Sequence, residues 1–401
     1  MTKRLVTEQS KCCGCTACFS ICPKNAIRMS FDEKGFLYPY VDENKCINCN
    51  LCKEVCAFSK PLIKNNDYEL MVLKHKSDDV VNESRSGGAF TAFTDYILEL
   101  GGIVCGASLD NDWFVRHHCG NTSQERNSFR KSKYVQSDLN ECFKEIKAYL
   151  KNGKTVFFSG TACQCDGLLS YLNLSHVNID NLFLCDIICH SVASPVVFRK
   201  YIDYYEKKMN KKIVKYDFRD KIKHKWGSHV ECIEFENGEI IYTDEYTNLF
   251  FSDDIRYSCF NCKYTSTSRV SDITIGDCWG GEKIYPDLVN ESGANLVFLN
   301  TQKGKQLFEN IEKKVVHRPI ELKFVYQTHL KQSEKQNASF ETFWADYKKL
   351  PFASFLRKYS INHYSTINRL KSRLKFIIKL PFKIINYIKK IKQQKRNSSK
   401  I

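Results

Sequence analysis

KCCGCTACFSICP at residues 11–23 and KCINCNLCKEVCA at residues 45–57 carry one spacing twice, C-x2-C-x2-C-x3-C, with every cysteine displaced by 34 residues. Three thiolates on a tight loop cap one face of an iron–sulfur cubane, and in this two-cluster run the fourth cysteine of each set ligates the other cluster. The spacing therefore assigns Cys12, Cys15, Cys18 and Cys56 to one 4Fe-4S cluster, and Cys46, Cys49, Cys52 and Cys22 to a second. Zinc motifs pair two short Cys or His turns rather than two runs of four, and a disulfide framework needs a secretory context. Cys13 is surplus to both sets, and Ala57 stands where a proline would mirror Pro23. Neither departure removes a ligand.

Outward from this pair, residues 1–58 read as an α+β ferredoxin-like module whose halves are joined by an extended, turn-rich middle, Asp32 to Asp42. Polar Lys60–Asp67 reads as a linker. Strands and helices then alternate. Leu70–His75 reads as a strand, Ser84-Arg85-Ser86-Gly87-Gly88 opens a helix over Ala89–Leu100, and Ile103–Leu109 is the next strand. A helix over Leu139–Leu150 precedes the strand Thr155–Phe158, whose end, Ser159-Gly160-Thr161-Ala162-Cys163-Gln164, starts another helix. Leu182–Ile188 ends in Cys189-His190-Ser191, and Pro195 suits the first turn of a helix to about Lys207. This order argues for an α/β core. From Ile213 the pattern turns β-rich, with Ser228–Glu236 and Glu239–Thr243 flanking the hairpin signal Asn237-Gly238. Asp272–Ile275, Asn295–Leu299 and a helix over Gly304–Lys314 close the body. The absence of G-x-G-x-x-G and of a Walker loop argues against a Rossmann NAD site and an NTPase.

Length, at 401 residues, suggests two to three domains. Twenty cysteines behind a start, Met1 to Lys11, that lacks an apolar leader point to a reducing cytoplasm. No apolar run of 18 residues is present, so no spanning helix is expected. The net charge of +16 is local. Sixteen of the 61 Lys and Arg fall in 347–401, where Asp and Glu are absent, and the remaining basic residues balance all 45 acidic ones.

The stretches Ser84–Phe90, Ser132–Ser137, Ser159–Gln164 with Gly167-Leu168, Asp186–Pro195, Asp217–Lys221, Cys259–Cys262 and Asp272–Gly280 resemble the beta-subunit family of coenzyme F(420) hydrogenases and dehydrogenases. Together they cover the chain to about residue 320. The chain departs from the family's commoner Pro, Gly, Pro and aromatic at Ala162, Ser191, Ala193 and Cys278. The resemblance implies that residues 68–150 and 151–320 are the N-terminal and C-terminal domains of an α/β flavoprotein body. It also implies a bound FAD or FMN and a further cluster in that body. Many bacterial relatives of the family occur at surface-polysaccharide loci, which makes such metabolism a candidate setting.

Residue chemistry fits both implied groups. Cys163, Cys189, Cys259 and Cys262 sit at turn ends and can converge on a third 4Fe-4S cluster, the alternatives being buried thiols or a zinc site. Cys105, Cys119, Cys142, Cys165, Cys185 and Cys232 lack paired spacing and read as core or surface thiols. Small-residue turns that open helices suit a phosphate. Ser86, Gly87 and Gly88, then Ser159, Gly160 and Thr161, fit, with Lys133 as charge partner; ordinary turn chemistry is the plain alternative. His190 can donate to a flavin carbonyl or move a proton, or be a satisfied structural histidine. Arg219 and Asp277 are candidates for flavin or substrate contacts, or form a salt bridge.

The expected activity is that of an oxidoreductase. A small-molecule hydride donor or acceptor meets the flavin, and electrons leave through the clusters to a redox partner protein at the N-terminal module. The competing class is a non-catalytic electron-transfer or adaptor subunit docked to a membrane or a larger complex. The tail, 347–401, reads as a basic amphipathic helix: Leu370, Leu374, Ile377, Ile384, Ile385, Ile388 and Ile391 recur at helical spacing between lysines, with Pro381 interrupting. It suits the anionic inner face of a membrane better than nucleic acid, a solvated coil being the alternative.

Overall fold

The computed structural model describes residues 2–62 and 67–360. The N-terminal module is built on strands β1 (Thr2–Arg4), β2 (Ile27–Phe31) and β3 (Leu37–Asp42), in the antiparallel order β1-β3-β2. The expected extended middle is thus the tip and second strand of a hairpin. Asp32 forms that tip by accepting from the amides of Lys34 and Phe36. Gly35 follows with φ +81, and a Cβ there would strike Ser194 and Val196 of the body. Body side chains hold the module by its backbone. Ser194 Oγ donates to Lys34 O at 2.7 Å, Ser170 Oγ to Val55 O at 2.8 Å, and Lys263 Nζ to Ala57 O at 2.6 Å.

The body contains β4 (Glu69–His75), β5 (Ile103–Leu109), β6 (Val115–Gly120), β7 (Val156–Thr161), β8 (Leu182–Ile187), β9 (Ile213–Asp217), β10 (Glu231–Phe235), β11 (Ile240–Thr243), β12 (Ile273–Asp277), β13 (Asn295–Leu299) and β14 (Val315–Pro319). Eight of them form one mixed sheet, β14-β4-β13-β12-β8-β7-β5-β6. The central four, β5, β7, β8 and β12, run parallel; both flanks are antiparallel. Alternate residues bury on opposite faces, as the period of two requires. Val156 and Phe158 pack with helices Cys142–Lys151 and Ala162–Leu174, whereas Phe157 packs with helices Ala89–Glu99 and Gln302–Ile311. The α/β expectation holds for the parallel centre, and the antiparallel flanks make the sheet mixed.

The parallel centre decides where chemistry can gather. Loops following parallel strands emerge at one edge of the sheet, which is where open α/β folds bind ligands. The ends of β7 (Thr161), β8 (then Cys189) and β12 (Asp277) therefore share one edge.

Beside this sheet, β9, β10 and β11 form a smaller antiparallel sheet against helix Pro195–Met209. Its core is aromatic: Phe198, Tyr201, Tyr216, Phe218 and Tyr246 meet with ring centroids 4.7–6.5 Å apart. Helices Phe340–Lys349 and Phe352–Tyr359 complete it, with Phe343, Trp344, Tyr347, Phe355 and Leu356 all buried. The tail boundary expected at residue 347 is thereby corrected. Apolar residues 347–356 belong to this core, although they lie in the stretch that reads as uniformly basic. The Leu370–Ile391 stripe lies outside the described residues. Among the described residues no helix is long and apolar enough to cross a membrane.

Candidate redox centres and ligand site

The two cysteine runs wind alike. Gly14 and Thr16 in the first, and Asn48 and Asn50 in the second, have φ of +75, +60, +57 and +60. These left-handed residues turn each run tightly into a short helix, Ala17–Ile21 or Leu51–Glu54. Cys22 and Cys56 then follow in extended backbone. The structure brings thiols together across the runs. Burial, and then Cys12, Cys15, Cys56 and Cys52, hold the Cys18 thiol well above its ordinary pKa. Burial, followed by Cys22, Cys46 and Cys49, raises that of Cys52. Thiols crowded in fours disfavour one another's ionisation, and a shared cationic cluster reverses that cost. The chain's residues fit two such clusters.

In the body, Cys163 lies in the first turn of helix Ala162–Leu174, which Thr161 and Gln164 cap reciprocally. Cys189 follows β8, and Cys259 and Cys262 lie in and just after the 3-10 turn Tyr257–Asn261. All four line a cavity of about 50 Å³ together with Cys13 and Arg256. A hydrogen bond from Cys13 is the main reason the Cys163 thiol is drawn down to about 7. Burial, then neighbouring thiols, push Cys259 to about 12 and Cys262 to about 11, and hold Cys189 well above its usual value. Cys13 also bonds Cys15, so a cysteine of the N-terminal module itself lines this cavity.

Arg256 had no signal in the sequence. It is fully buried, donates from Nε to Cys12 O at 2.9 Å and from Nη1 to Gln136 Oε1 at 3.1 Å, and lies 4.0 Å over the Tyr38 ring. Its Nη2 has no hydrogen-bond partner among the described residues. The cation faces Cys12, Cys13 and Cys259, where anionic metal–thiolate centres would need a counter-charge.

A larger cavity, about 450 Å³, adjoins the first; Thr161, Gln164, Cys189, Ser191 and Val192 line both. Ser86, Gly88, Lys133, Ser159, Gly160, His190, Arg219 and Asp277 also line it. Gly87 does not. A Cβ on Gly87 would meet Leu73 O and the amide of Asn295, so its place is taken by strand packing rather than by a ligand, which corrects the expectation. Gly88, with φ +87, begins helix Ala89–Glu99, whose first amide is bonded by Asn295 Oδ1 at 3.0 Å.

Two arginines in this wall differ in their bonding. Arg219 donates to Asp277 Oδ2 and Tyr134 OH, both at 3.1 Å, and to the carbonyls of Trp226 and Ser228. It is the salt-bridge clamp weighed against a ligand role. Arg85 donates from Nη2 to Trp226 O, while its buried Nε and Nη1 have no hydrogen-bond partner among the described residues. Burial, and then the charge of Arg219, depress it to about 10. An unsatisfied guanidinium lining a cavity is suited to an anionic group, as in a flavin phosphate. Lys133 gives Nζ to Ser128 O and Arg130 O, and lost hydration lowers it to about 7. Burial, then the charge of His329, keeps His190 near 4, so it is neutral at pH 7. Its ring lies 4.2 Å from that of His329, which pairs with Glu334 at 2.9 Å.

Residues 153–322 match the family model for the C terminus of the coenzyme F(420) hydrogenase/dehydrogenase beta subunit, and residues 11–60 match a 4Fe-4S dicluster domain. A coenzyme F(420)-dependent sulfite reductase of Methanocaldococcus jannaschii is 24% identical over 348 residues, covering 82% of this chain. The chain spans 51% of that relative's length. An uncharacterized ferredoxin of the same organism is 36% identical over 64 residues, 16% of this chain and 82% of the ferredoxin. Among solved structures, a chain of the F(420)-reducing [NiFe] hydrogenase complex of Methanosarcina barkeri aligns over 74% of this chain and 91% of its own, with 16% identity and a TM-score of 0.44.

Proposed function

Because this chain belongs to the coenzyme F(420) hydrogenase/dehydrogenase beta-subunit family and carries a 4Fe-4S dicluster module, we propose that it is an iron–sulfur flavoprotein oxidoreductase. It passes electrons between a two-electron donor or acceptor in the larger cavity and a redox partner protein at the N-terminal module. One observation carries this reading. The larger cavity shares a wall with the four-thiol cavity, and Cys13 reaches from there to Cys15 of the module. Ligand pocket, body thiols and ferredoxin thiols therefore form a continuous series.

A bound FAD or FMN would supply two-electron exchange with a small molecule and one-electron exchange with 4Fe-4S clusters. Arg85 and Lys133 would hold its phosphate, and Ser159, Gly160 and Thr161 form the turn beside it. Arg219, locked by Asp277 and Tyr134, keeps the wall in shape. His190 offers a hydrogen bond without a charge. Cys163, Cys189, Cys259 and Cys262 would ligate the third cluster. The cationic wall and the relatives' printed names favour coenzyme F(420), a deazaflavin, over NAD(P)H as the two-electron partner.

The test is composition and turnover of anaerobically purified protein. About 8 iron per chain are expected from the module, and about 12 with the body cluster. Replacing Cys259 and Cys262 by Ser should remove about 4. Reduced F(420) should then reduce a one-electron dye. Full iron with no binding of flavin or deazaflavin would instead make the chain an electron-transfer adaptor.

A further inference from the structure

Away from these centres, a third set of sulfurs converges. β5 and β6 pair with Cys105 opposite Cys119, and the two are joined by a disulfide. This corrects their reading as independent thiols. Cys142 opens helix Cys142–Lys151 and brings its Sγ to 3.7 Å from that of Cys119. The three sulfurs lie within 4.8 Å of one another. Among the described residues they are the one group of three or more Cys, His, Asp or Glu whose ligand atoms come that close. Cys105 and Cys142 are buried, and Cys119 is half-buried.

We propose that Cys105, Cys119 and Cys142, with the disulfide reduced, form a three-thiolate site for Zn²⁺. Tetrahedral zinc with bonds of about 2.3 Å holds its sulfurs about 3.8 Å apart. The Cys119–Cys142 spacing already matches that edge, Cys105 lies within 4.8 Å of both, and the Cys105 and Cys119 sulfurs must part. A dithiol reductant breaks their bond by giving up two electrons and two protons, and is itself oxidised to a disulfide. Zinc then displaces three thiol protons, and water completes the tetrahedron on the half-exposed side of Cys119. Simple thiol–disulfide exchange fits less well. Exchange would only pass the bond among three sulfurs already gathered, whereas a thiophilic cation engages all three at once.

The site would tie the sheet edge to helix Cys142–Lys151. That helix also meets the N-terminal module, where Lys144 Nζ lies 4.5 Å over the Phe19 ring. The disulfide links the two strands alone; the metal would add the helix.

Full-length protein with its iron intact, reduced by a dithiol without oxygen, is titrated with Zn²⁺ and freed of excess metal. One zinc per chain should remain, with an X-ray absorption spectrum fitted by three sulfurs at about 2.3 Å. Cys119→Ser and Cys142→Ser should each weaken retention beyond the roughly 10–100-fold typical of losing an outer-shell partner. Their iron content and cluster spectrum should be unchanged, which reports that they fold. Cys232→Ser, at a half-buried thiol on β10, should bind as the parent does. Protein oxidised at Cys105–Cys119 should not hold zinc. Equal retention by Cys142→Ser or by the oxidised protein, or no zinc in the reduced parent, would overturn the proposal.

Discussion

Arg85 and Arg219 both bond Trp226 O, yet they should fail differently when replaced. Arg219→Gln leaves Asp277 without its cation in a buried wall, and breaking such a pair costs about 3–5 kcal/mol of stability. Arg85→Gln removes no satisfied ion pair but takes away a charged donor worth about 1.5–3 kcal/mol to an anion, about 10–100-fold in affinity. Thermal unfolding together with flavin titration of cofactor-stripped protein separates the two. Loss of affinity without loss of stability is expected for Arg85 and the reverse emphasis for Arg219. Lys133 adds a pH signature. Its lowered pKa, about 7, means that it is charged below pH 7 and neutral above. Affinity for a phosphate-bearing ligand should therefore fall as pH rises through 7, and Lys133→Met should flatten that dependence. Arg219, Asp277 and Lys133 were legible because they lie in stretches that resemble a family. Arg85 lies in such a stretch too, but its unpartnered nitrogens, like that of Arg256, are a property of the fold that no spacing encodes.

Elements were legible where one periodicity acted alone. Ile103–Leu109 and Asn295–Leu299 coincide with their strands because buried sheet centres demand continuous apolar residues. The helix expected from Leu139 starts only at Cys142, since Asn140, with φ +41, turns the chain first. Helix Phe352–Tyr359 was hidden by the lysines around it, and its apolar face becomes visible only against the aromatic core. A chain ending at Asp346 should lose that helix. Without Phe355 and Leu356 the core faces they cover, Phe343 among them, lose about 1.5–3 kcal/mol of burial for each, so a lowered melting temperature is expected. A chain ending at Ser360 should keep the parent's melting temperature and iron content. It also lacks 12 of the 16 tail Lys and Arg, and should no longer bind anionic vesicles. Equal vesicle binding by this shortened chain and the parent would exclude the membrane reading of the tail.

Taken as a whole, the molecule joins two units that the sequence presented as a module, a linker and a body. The paired cysteine runs declared the module, and the strand–turn–helix alternation declared the parallel centre. Their mutual placement was invisible, because it rests on scattered single contacts to backbone carbonyls. Those contacts have a kinetic meaning. With Gly35 pressed against Ser194 and Val196, and Lys34, Val55 and Ala57 each held by a body side chain, the module has no room to swing. On the proposed function, electron transfer between body and module would be tunnelling across a set gap rather than diffusion of a tethered carrier. Its rate should be indifferent to solvent viscosity and protein concentration. Delivery to the proposed partner protein, which requires an encounter, should slow with both glycerol and dilution.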